Sequence, residues 1–158
     1  MDFTGYYDFD TSILSIANDF YEAYHRCTEG KNTHIDKWGR TVESGGNVPV
    51  LVNGSFACEL YLKSLLPPGT TGHLLYDLYM LLDENTRISI KKYCDERIDF
   101  INYDFDTTLK DFSNAFVFWR YIHEQNGNLG TLGLNLGLRF LSHFVEILKL
   151  IANDKKEI

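Results

Sequence analysis

Arg120, His123 and Glu124 fall close together in FSNAFVFWRYIHEQNG, residues 112–127. An imidazole can move a proton near neutral pH, and a guanidinium can hold a phosphate through parallel hydrogen bonds. On a helical wheel, at about 100° per residue, Leu109, Phe112, Phe116 and Trp119 share roughly one quadrant. His123 falls inside that apolar quadrant, Arg120 at its edge and Glu124 one step further out. Two readings stay open. Arg120 and Glu124 can be a surface ion pair beside a buried, neutral His123. Alternatively, Arg120 and His123 line a cleft or subunit seam, with His123 as acid or base, Arg120 as phosphate holder and Glu124 in support.

A second constellation lies in HRCTEGKNTHIDKWGR, residues 25–40. It carries Arg26, Lys31, Lys37 and Arg40 against only Glu29 and Asp36. With Trp38 among them, Lys31, Lys37 and Arg40 could grip a phosphate backbone and stack a base, or dock a protein partner. An ordinary solvated loop whose tryptophan covers the core is the competing reading.

Other motifs are weaker. Glu22-Ala-Tyr-His25 has the Glu-x-x-His spacing of a di-iron bundle, but no second such motif follows. Gly127, Gly130 and Gly133 precede a helix without the Gly-Lys-Ser/Thr of a phosphate loop. There is no nucleophile elbow and no dinucleotide fingerprint. Neither a metal nor a cofactor is expected.

These residues need elements to position them. Helix is expected from about 11 to 28, capped by Asp10 or Thr11, with Ile13, Ala17, Phe20, Tyr24 and Cys27 buried and Asn18, Glu22, His25 and Glu29 facing water. The connection 31–47 is long enough for an extra turn or a functional loop. A second helix starts near Pro49 and ends before Pro67-Pro68. Within it Gly54 costs about 1 kcal/mol relative to alanine, which points to close approach of another backbone. Glu59 and Lys63 read as a solvated i,i+4 pair.

A short helix over 71–82 and a longer one over 84–101, capped by Asp83 and burying Ile88, Ile90, Cys94, Ile98 and Ile101, come next. DTTLKD opens a helix running to about Gln125, and a last helix spans 134–153. The last has two apolar stripes, one through Leu138, Leu141 and Val145, the other through Phe140, Phe144 and Ile147. It must be buried on two sides, in the bundle centre or against a second subunit, and a homodimer is the expectation. The pattern predicts an all-α bundle of five or six helices over residues 10–154, with a short N-terminal extension, 1–9, and a tail, 155–158.

Composition bounds the rest. The chain has 158 residues, 44% hydrophobic, with a net charge of −7. That size supports one domain, and that charge argues against a general nucleic-acid coat. Cys27, Cys58 and Cys94 are spaced like reduced thiols rather than a zinc site or disulfide frame. No apolar run is long enough for a membrane span, and MDFTGYYDFD lacks the basic start of a secretory signal, so a cytoplasmic protein is expected.

VNGSFACELYLKSLL (52–66), GHLLYDLYMLL (72–82) and FVFWRYIHE (116–124) together resemble the HEPN domain superfamily. The likeness covers roughly residues 10–152. It implies a small prokaryotic helical bundle that usually dimerises, of a kind common in toxin–antitoxin and abortive-infection loci. A cognate antitoxin, a larger defence effector or RNA would be the partner. Catalytic members are metal-independent endoribonucleases whose site is an Arg, four to six residues, then a His. Here Arg120 and His123 have two residues between them, and Arg139 and His143 have three. Arg120 carries over as the helix arginine, and His123 departs in spacing. His73 matches the Gly-His before the short helix, where packing or capping is its ordinary role. The resemblance thus implies a binding module of a defence or toxin–antitoxin system, or alternatively an endoribonuclease toxin.

Overall fold

The computed structural model describes residues 12–30, 32–44, 47–120 and 134–155. Within these, side chains at 32, 43–44, 47, 115–120 and 134–136 are not described. Among the described residues the chain forms an all-α bundle with one small hairpin: α1 (Ile13–Glu29), β1 (Asn32–Ile35), β2 (Thr41–Ser44), α2 (Asn47–Ser64), α3 (Leu75–Leu81), α4 (Glu84–Arg97), α5 (Phe105–Arg120) and α6 (Leu134–Asp154). Among the described residues no helix is long and apolar enough to cross a membrane.

The centre is α2 and α6, with α1 packed against α2. Gly54 explains how close they come. A Cβ there would lie 2.8 Å from Leu141 Cδ2 and from Tyr24 Cδ2, so only hydrogen fits between α1, α2 and α6. Phe140, Leu141, Phe144, Val145, Ile147 and Leu148 of α6 are all fully buried. Phe140 stacks on Phe144 at 5.1 Å and meets Phe112 at 5.3 Å. From Phe140 to Leu148 both apolar stripes of α6 are therefore covered within one chain, and that stretch does not by itself call for a second subunit.

α1 is capped by Ser12, whose Oγ accepts from Ser15 N–H. Its buried residues are Leu14, Ala17, Tyr21 and Tyr24, while Ile13 is exposed. The expected stripe was set one position off at its start. α1 also touches α6, which widens its buried arc and draws in two residues expected in water. Asn18 accepts from Tyr61 Oη at 2.7 Å and pairs with Asn153, and His25 meets Tyr21 and Glu146.

α3 is shorter than its apolar run, starting at Leu75. Asp83 caps α4 as expected, accepting from Thr86 N–H at 2.9 Å. That helix ends at Arg97, because Ile98 is extended, and it buries Ile90, Cys94 and Ile98. Ile88 and Ile101 face outward, against expectation. The connection after α1 is an antiparallel hairpin, Thr33 opposite Glu43 and Ile35 opposite Thr41.

Candidate functional site

The hairpin turn is organised by one side chain. Asp36 Oδ1 accepts from the backbone N–H of Trp38 at 2.8 Å and of Arg40 at 3.0 Å. Its Oδ2 accepts from Arg40 Nε at 2.9 Å and pairs with Nη2 at 2.8 Å. Gly39 closes the turn with φ +74°, the left-handed region that disfavours a Cβ. The Arg40 N–H, followed by the Trp38 N–H and the Arg40 guanidinium, holds the Asp36 carboxyl below the usual aspartate range.

Lys37, Trp38 and Arg40 are thus brought together, as the sequence predicts, but they are not equivalent. Arg40 is engaged within the turn. Lys37 has no carboxylate among the described residues, and its Nζ lies 4.8 Å from the Trp38 ring centroid. Trp38 is 69% exposed and Ile35 74% exposed, so the tryptophan does not cover the core. The strands pack chiefly on each other. Chemically this is an exposed apolar and aromatic tip with the Lys37 ammonium against its indole. Lys31 lies outside the described residues.

A second cluster escaped the sequence reading. Glu59 on α2 is 1% exposed, and its Oε1 takes Lys63 Nζ and His73 Nδ1, each at 2.9 Å. The pair is therefore not solvated. Ala57, Cys58, Tyr61 and Leu62 of α2 are fully buried as well, and from the segment before α3 His73 reaches the carboxylate. His73 meets the carboxylate through Nδ1 while most of its ring stays exposed. His73 does not cap α3, whose N-cap is Leu74 without a side-chain bond. The sequence shows Glu59 in line with Ser55 and Lys63, and nothing in it brings His73 to the same carboxylate.

His25 sits in a third cluster. Tyr21 Oη donates to Glu146 Oε1 at 2.5 Å, and His25 Nε2 lies 2.7 Å from that hydroxyl. Burial, then the Glu146 carboxylate, pushes the Tyr21 phenol well above its ordinary value. Among the described residues no group of three or more His, Cys, Asp or Glu could hold a metal ion.

Arg120 is the last residue of α5, and its side chain is not described; His123 and Glu124 lie outside the described residues. The backbone still orients α5. Tyr79 meets Phe105 at 5.2 Å, while Tyr76 N–H donates to Ser113 Oγ at 2.8 Å. α3 and α5 therefore run antiparallel, and the Arg120 end of α5 heads toward the His73 end of α3. Compared with protein-family models, curated proteins and solved structures, the chain matches none.

Proposed function

We propose that the chain is a HEPN-like helical module of a prokaryotic defence or toxin–antitoxin locus that works by binding, with the β1–β2 hairpin as its recognition arm. The observation that carries this is the pairing of exposed Trp38 and Ile35 on a turn fixed by Asp36, outside the packed bundle. Exposed tryptophan on a rigid arm is an effective anchor: it brings a large contact area and little ordering cost. The HEPN-like part rests on the resemblance. Two of the stretches that carry it are also joined in space, through Glu59 and His73.

The test is co-expression with the products of neighbouring genes, then affinity capture with wild type and Trp38→Ala. Wild type retains a protein or RNA partner, and Trp38→Ala loses about tenfold or more in affinity with its melting temperature unchanged. Equal retention by both proteins sinks the reading. RNA cleavage by wild type that Arg120→Ala abolishes would put the endoribonuclease reading in its place.

A further inference from the structure

Three elements meet at the start of α1. That start, the end of α2 with the segment after it, and the end of α6 line a cavity of about 600 Å³, a size common among small-molecule sites. The hairpin follows the other end of α1, which is 17 residues and so about 25 Å long. Ile13 and Leu14 line the cavity from α1, Leu65 and Leu66 from the segment after α2, and Ala152 from α6. Lys63 and Lys155 line it as well, while among the described residues no carboxylate and no aromatic ring does. The carboxylates that hold these two lysines, Glu59 and Asp83, lie outside the lining. Lys63 is only 15% exposed, with its Nζ fixed 2.9 Å from Glu59 Oε1. Lys155 Nζ donates to Thr86 Oγ1 at 2.5 Å and lies 3.5 Å from Asp83 Oδ2. An ammonium has three donors, so each lysine is positioned on one side and can still donate on another. The lining is thus apolar and positive.

We propose that this cavity binds a small amphipathic anion, an aliphatic carboxylate, with its chain against Leu14, Leu65 and Leu66 and its head group on Lys63 and Lys155. The lining decides the class. A nucleobase would find no aromatic face to stack on. A neutral hydrocarbon would cover the ammonium groups without supplying an acceptor, which costs free energy. A cation would meet two like charges. An aliphatic carboxylate satisfies both halves of the site, and its charge counts for more beside the nearly enclosed Lys63 than on open surface. The site is separate from the hairpin, and either can fail without the other.

Calorimetric titration of the full chain with octanoate tests this, with octanol as the neutral control of equal chain length. Octanoate should bind saturably and raise the melting temperature, and octanol should bind about tenfold more weakly or less. Lys155→Met should weaken octanoate about tenfold and leave octanol unchanged. Ile13→Trp, at a part-exposed position of the lining, should crowd the cavity and weaken both ligands. Each variant is compared with its own ligand-free melting curve, so a loss of stability is not read as a loss of binding. A wild type that neither takes up octanoate nor melts higher with it overturns the proposal. So does octanol binding as tightly as octanoate, or octanoate binding that neither substitution alters. Displacement of octanoate by ATP would give the cavity to a nucleotide instead and overturn the aliphatic assignment.

Discussion

α2 and the hairpin before it hold their shapes by opposite means. α2 is enclosed by α1 and α6, and its position is set by burial: Leu51, Ala57, Cys58 and Tyr61 have almost no exposed surface. The hairpin has almost no such support and keeps its turn through the bonds converging on Asp36. The difference assigns different work to each. Substitution in α2 is felt throughout the fold, while the hairpin tip can vary with little effect on stability. A protein is free to choose its binding residues where folding makes few demands on them.

The comparison breaks most readily at Glu59. Glu59→Ala should strip the part-buried Lys63 and the His73 ring of their shared acceptor and cost about 2–3 kcal/mol, the upper range for removing one buried hydrogen-bonding partner. Chemical denaturation would measure it, and a loss as small as that of a surface substitution would show that the carboxylate is not enclosed. Gly54→Ala is next. Its helix-propensity gain of about 1 kcal/mol is set against Leu141 and Tyr24 side-chain atoms 2.8 Å from the new methyl. Overpacking there should leave a net loss of about 1–2 kcal/mol. A stabilised variant would mean that α1 and α6 can yield.

The smallest effect is at the start of α4, where acid should find a weak point. The Thr86 hydroxyl, then its backbone N–H and Lys155, lower the Asp83 carboxyl to about 2. A depressed carboxyl adds stability that is complete above the ordinary aspartate value of about 3.9 and is lost as pH falls through the folded value. Melting of wild type and Asp83→Asn should therefore converge on acidification from about pH 4 toward 2, because asparagine also caps but carries no charge. A difference between them that does not change with pH would assign the cap to geometry alone.

Features that depend on neighbours in sequence were legible: the Asp83 cap and the apolar stripes of α6; at Gly54 a backbone was expected, and the close neighbours are the Leu141 and Tyr24 side chains. The buried face of α1 was misplaced because it is shared between α2 and α6, and wheel geometry contains no second helix. Glu59 looked solvated because an i,i+4 partner is visible in sequence, while the His73 segment that covers it is a tertiary neighbour. The hairpin read only as a long connection, although Thr33, Ile35, Thr41 and Val42 flank an Asp-x-x-Gly turn. Four-residue strands are too short for alternation to announce them. Composition singled out Lys37, Trp38 and Arg40 as a candidate cluster. The pairing of Arg40 with Asp36 depends on how the turn folds back, which composition does not encode.

Ser113 has a consequence for the stability of α3. Its hydroxyl donates to Leu109 O and accepts the Tyr76 N–H from the first turn of α3, so α5 supplies from a distance the cap that Leu74 lacks. A seven-residue helix cannot cross the nucleation barrier on its own. α3 therefore depends on its neighbours: it packs on both α2 and α5, and α5 supplies the bond to its first turn. Its stability is borrowed from the helices it packs on, and His73, just before it, is tied to one of them through Glu59.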